Sequence, residues 1–87
     1  MGSKHPLKLY KIHWVHFGDY KGLWKSVDER FFIDPHKSRH GFGYDLMDVK
    51  TGKHTDHGLV RYAKDYACQI VRQELELARL EDFTHHE

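Results

Sequence analysis

The stretch Leu23-Trp24-Lys25-Ser26-Val27-Asp28-Glu29-Arg30-Phe31-Phe32-Ile33-Asp34 decides how the rest of the chain is read. Successive side chains of a strand point to opposite faces, so a period of two sorts these residues into two sets. Leu23, Val27, Phe31 and Ile33 fall on one side, and Trp24, Ser26, Asp28, Arg30 and Phe32 on the other. Lys25 and Glu29 interrupt the apolar set, which suits a strand that lies partly at a sheet edge. The pattern predicts one strand over 23–34, with one side turned to the interior and the other left open. Pro35 has no N–H to give a ladder and is expected to end it.

Upstream, Leu7 to Phe17 holds Leu9, Tyr10, Ile12, Trp14, Val15 and Phe17, the β-branched and aromatic types that suit a pleated surface. Gly18-Asp19-Tyr20-Lys21-Gly22 reads as a turn bracketed by glycines. Downstream, His36 to Gly43 is expected to be a loop, Tyr44 to Val49 a strand, Lys50-Thr51-Gly52-Lys53 a tight turn, and Lys53 to Thr55 a short further strand. Asp56 is placed to cap a helix over about 58–83, whose core face is Leu59, Ala63, Tyr66, Ala67, Ile70 and Leu77. The expected fold is α+β: a four-stranded antiparallel meander (7–17, 23–34, 44–49, 53–55) followed by one long C-terminal helix, ββββα, in a single domain over 1–87.

A helix of about 26 residues spans roughly 39 Å, more than four strands about 4.8 Å apart can cover. Its distal turns should overhang the sheet. There Leu75, Leu77, Leu80 and Phe83 point in several directions, while Glu74 interrupts the core stripe. This predicts that 75–83 pack on a second copy, as a homodimer through the C-terminal helix, or on another protein. The alternative is a helix that bends or stops early.

Composition bounds the function classes. Apolar residues make up 39% and aromatic ones 14%, enough for a folded core. Cys68 is the one cysteine, so no disulfide staples a single chain, and a lone thiol suits a reducing, cytoplasmic setting. No apolar run approaches the roughly 20 residues that span a bilayer, so no membrane association is expected. Net charge is +1 but unevenly spread, the first 53 residues being basic and the remainder acidic. Such asymmetry marks either a polyanion-facing surface or two solvated faces of opposite sign.

Chemistry-bearing clusters are sparse. His54 and His57 flank Asp56, and His36 and His40 lie in the expected loop, but zinc needs a tetrahedral set and no cysteine pair is present. Histidine at the surface or in caps is the plainer reading, and no metal or other cofactor is expected. Cys68 has no sequence signal for an activating base, and neither a Gly-rich phosphate loop nor a serine elbow occurs. No residue is assigned as catalytic. Asp48-Val49-Lys50 looks like the Asp-x-Lys strand of the PD-(D/E)xK nucleases, with Asp34 as the second carboxylate. That resemblance implies a shared Mg²⁺.

The densest local signal is basic residues interleaved with aromatics over the first two expected strands. Bases stack on exposed rings while lysine and arginine follow phosphates. With Ile12, Val27, Phe31 and Ile33 turned inward, Lys11, His13, Trp24, Arg30 and Phe32 are expected on the open face, with Lys21 in the turn beside them. Asp19-Tyr20-Lys21-Gly22 and then Arg30-Phe31-Phe32-Ile33-Asp34-Pro35 resemble the strand pair of the single-stranded-DNA-binding transcriptional coactivator family, positive cofactor four. That resemblance implies four strands and a helix, dimerisation through the helix, contacts from Lys21 and Arg30, and a stacking role for Phe32. After Pro35 the chain departs from the family, with a histidine-rich stretch and a separate Lys-Thr-Gly turn. The expectation is a non-enzymatic binding module whose ligand is single-stranded nucleic acid. The alternative is a protein-interaction domain, a small inhibitor or adaptor, using the helix overhang or the aromatic strands.

Overall fold

A computed structural model describes residues 10–18, 22–38 and 41–84. Five strands form one antiparallel sheet in the order β1-β2-β3-β4-β5: β1 Trp14–His16, β2 Trp24–Ser26, β3 Phe31–Ser38, β4 Gly41–Asp48 and β5 Lys53–His57. One helix follows, α1 Val60–Thr84. The class is α+β as expected, with five strands where the sequence predicts four.

The extra strand arises inside 23–34, which is two strands and a turn. Ser26 is buried; its hydroxyl accepts the N–H groups of Arg30 (3.1 Å) and Phe31 (3.0 Å) and donates to Asp28 (2.6 Å). Glu29 takes the left-handed conformation, φ 63°, and its N–H donates to the Ser26 carbonyl. Short polar side chains that satisfy nearby backbone donors favour turns over ladders. The chain therefore folds back, setting Trp24 opposite Ile33 and Lys25 opposite Phe32.

Other boundaries differ as well. The first expected strand shrinks to Trp14–His16 among the described residues, and 7–9 lie outside them. Pro35 does not end its strand, which runs on to Ser38 and pairs along its whole length with β4. Among the described residues β2 pairs with β3 only at Ile33 and Phe32, so the missing N–H of Pro35 falls where β3 has β4 as its one described partner. The turn after Asp48 is as expected: Gly52 has φ 75° and donates its N–H to the Asp48 carbonyl. Asp56 belongs to β5 and does not cap the helix, which starts where the Leu59 carbonyl accepts from Tyr62 and Ala63.

The core lies between one face of the sheet and α1. Phe31, Ile33 and Leu46 supply it from the sheet, and Ala63 and Ala67, both fully buried, from the helix. Two alanines at the contact let the backbone of α1 approach the sheet closely. Ile12, Trp14, Trp24, Tyr44, Val60, Ile70 and Val71 pack around them. Of the expected core stripe, Leu59, Tyr66 and Leu77 are exposed, because the helix is rotated to bring Val60 and Val71 inward.

Candidate functional site

Register sorts the sheet into a covered face and an open one. Phe31, Ile33, Leu46, Asp48, Trp24 and Ser26 share the face under α1. On the open face Val15, Lys25, Phe32, Met47 and His54 form a row across all five strands, each opposite the next. A second row sets Asp34 opposite Asp45 and Asp45 opposite Asp56. Directly opposed like charges destabilise a sheet. Two histidines on this face offset part of that: His54 Nδ1 lies 2.8 Å from Asp45, and His36 Nε2 contacts Asp56.

The sequence-predicted binding residues divide between the two faces. Phe32 is on the open face, its ring edge-on to Phe17 at 5.7 Å. Lys11 and His13 are exposed and precede β1. Trp24 is on the covered face, against His16 (ring centroids 3.6 Å) and under the Lys64 ammonium, 3.4 Å from the ring centroid. Burial pushes the Lys64 pKa down, and the indole face supplies compensation of the cation–π kind. Arg30 is also turned to the helix side. Its Nε and Nη2 bind the two oxygens of Asp48 at 2.9 Å, and Nη1 and Nη2 bind Glu74 at 2.7 Å. Lys21 lies outside the described residues.

The Arg30 cluster accounts for Glu74, the carboxylate interrupting the core stripe. The guanidinium donates to both acids and holds each below its usual carboxylate range, and they raise its own affinity for the proton in turn. It also lies over the Phe31 ring at 4.7 Å. Arginine's planar fork is suited to such double chelation. Arg30 thus joins the start of β3, the end of β4 and the middle of α1.

Asp34 and Asp48 do not come together: Asp48 is buried on the covered face and Asp34 is exposed on the other. They cannot share a metal ion. His54 and His57 likewise point to opposite faces, His57 against the Tyr66 ring at 5.1 Å, with burial pushing its pKa down. Among the described residues no three of His, Cys, Asp and Glu converge closely enough to hold a metal. No helix among them is long and apolar enough to cross a membrane.

The overhang is present: every side chain from Leu75 to Glu81 is exposed. Leu75, Leu77 and Leu80 are among them, while the side chain of Phe83 lies outside the described residues. Leu77 and Leu80 continue a line begun at Leu59, Tyr62 and Tyr66, all exposed, which the sequence reading does not find. The spacing by three and four is legible in the sequence, but there it points to the core. No protein-family model, curated protein or solved structure matches the chain.

Proposed function

We propose that this chain is a non-enzymatic binding module that meets a protein partner through the exposed flank of α1. One observation supports the reading. Leu59, just before the helix, and Tyr62, Tyr66, Leu77 and Leu80 along one side of it are 46%, 51%, 39%, 61% and 54% exposed. Single exposed apolar side chains are ordinary, but several aligned on one side of an element mark an interaction surface. Gln69 and Gln73 fill the interval on the same side, polar but uncharged, so the line is not broken by a charge.

Single-stranded nucleic acid on the open sheet face has Phe32 beside Lys25 in its favour. Against it, Trp24 and Arg30 are turned to the helix side, and the row Asp34, Asp45 and Asp56 repels phosphate where contacts to the backbone are needed.

The test places a photo-crosslinking side chain at Leu77 of the full chain in cells, with Val27, exposed in the turn between β2 and β3, as control. A discrete protein adduct at Leu77, absent at Val27, is expected. In parallel, a labelled single strand is titrated against the protein at low and high salt. No adduct at Leu77, together with strand binding that weakens steeply with salt and loses slope on Lys21→Ala, would overturn the reading in favour of nucleic acid.

A further inference from the structure

The exposed flank of α1 runs alongside a second unfinished surface. Strand β5 is last in the sheet and, among the described residues, pairs only with β4, so its outer edge presents backbone donors and acceptors with no strand to meet them. α1 returns along it: Tyr66 meets the ring of His57, and further on Leu77 shares with Lys53 and Thr55 a groove of about 270 Å³. Proteins blunt a free edge with proline, a bulge, a short strand or charged side chains, lysine above all. The strand Lys53-His54-Thr55-Asp56-His57 has neither proline nor bulge, and its two charges, Lys53 and Asp56, are of opposite sign, so they need not repel a second copy.

We propose that β5 pairs antiparallel with β5 of a second copy about a twofold axis at Thr55, continuing the sheet and bringing the two α1 flanks together on its covered face. The proposal rests on reading that flank as a protein contact, and names the partner.

The argument for a second copy is the pattern of charge along the strand. With the axis at Thr55, Thr55 faces itself, a favourable cross-strand pair. His54 faces Asp56 twice, on the open side, imidazole against carboxylate. Lys53 faces His57 twice, and His57 is disposed to stay neutral by its burial against Tyr66, so no repulsion arises there. An axis at His54 would set that imidazole against its own copy, and one at Asp56 would oppose two carboxylates. Among these three the central register alone sets no ionisable side chain opposite its own copy, and axes at Lys53 or His57 lie at the ends of the strand and would pair little of it. Asp56 already contacts His36, but a carboxylate has acceptor sites to spare for an incoming imidazole. The closed twofold interface buries the edge once and leaves no open β5 for further chains. A domain whose fully buried apolar core is Phe31, Ile33, Leu46, Ala63 and Ala67 stands to gain from the added burial.

Disulfide trapping tests the register in a Cys68→Ser background. Directly opposed residues of an antiparallel pair have Cα atoms about 4.5–5.5 Å apart, within the range a disulfide spans. Thr55→Cys should therefore form a covalent dimer rapidly under mild oxidation. His54→Cys should not do so alone but should with Asp56→Cys in a mixed sample. Sedimentation of the wild-type chain should show dimer, weakened at least tenfold in affinity by Leu77→Asp. If the chain dimerises but Thr55→Cys traps no faster than His54→Cys, the strand pairing is overturned while the flank reading stands. A monomer at all concentrations whose Leu77 crosslinks to a different protein likewise overturns the pairing and keeps the flank reading. A monomer that gives no adduct overturns both.

Discussion

At the scale of the residue, Glu29 is where the sequence and the backbone disagree most. It has φ 63°, a region that a side chain beyond glycine enters at a cost of about 1 kcal/mol or more. Its compensation is an ion pair to Lys25 at 2.7 Å, in which the Glu29 side chain is 61% exposed, and exposed pairs contribute little. The conformation is imposed by Ser26 and Asp28, which capture the donors of the turn. Glu29→Gly should therefore stabilise the domain, by about 0.5 kcal/mol once the greater freedom of glycine in the unfolded chain is subtracted. Glu29→Val should lower the melting temperature, since a β-branched residue tolerates positive φ worst. Thermal unfolding followed by circular dichroism reads both, and a melting temperature lowered by Glu29→Gly would contradict the account. The turn also explains what alternation conceals. Read as one strand, 23–34 puts Trp24 beside Phe32; folded at 27–30, it puts Trp24 opposite Ile33, and every side chain of β2 changes face relative to β3. The signal is Ser26-x-Asp28, a local hydrogen-bonding pair, standing inside an otherwise strand-like pattern.

At the scale of the element, Arg30 carries the joint between sheet and helix. The class, the helix and the turn at Gly52 are legible because each follows from spacing and from one special residue. The length of the β3–β4 hairpin is not, because Pro35 signals an end unless the strand lacks a neighbour on one side at that point. The rotation of α1 is half legible: Glu74 stands out as misplaced in an apolar stripe, but its partner lies 44 residues earlier in the chain, beyond any local pattern. Arg30→Ala leaves Asp48, whose side chain is 4% exposed, without its cation. Removing one member of such a pair costs about 3 kcal/mol, most of it the penalty of a buried unpaired carboxylate. Urea unfolding should show that loss, and Arg30→Lys should recover only part of it, because an ammonium cannot grip both carboxylates through a fork. A change below about 0.5 kcal/mol for Arg30→Ala, the range of ordinary surface substitutions, would mean that the joint is not held by charge.

At the scale of the whole molecule, these groups give stability a pH dependence with two separate limbs. The carboxyls of Asp48 and Glu74 bind protons more weakly when folded, chiefly through the hydrogen bonds from Arg30. Their contribution is present above the ordinary carboxylate values of 3.8 and 4.5 and is lost as pH falls through and below them. His57 is depressed for a different reason, its burial disfavouring the imidazolium. The unfolded chain then takes up the proton first, so stability declines once pH falls below the ordinary value of 6.5. Urea midpoints measured from about pH 8 down to about pH 3 should fall in two steps, one for the imidazole and one for the acids. His57→Gln should flatten the upper step and leave the lower one, while Arg30→Ala should shrink the lower step and leave the upper. The two substitutions act on opposite ends of the surface beside α1, His57 at the β5 edge near Tyr66 and Arg30 beneath Glu74, so their effects on the profile should add. A single acid transition unchanged by His57→Gln would show that the ring is wet in the folded chain, and would remove the reason for Lys53 to tolerate His57 across a β5 pair.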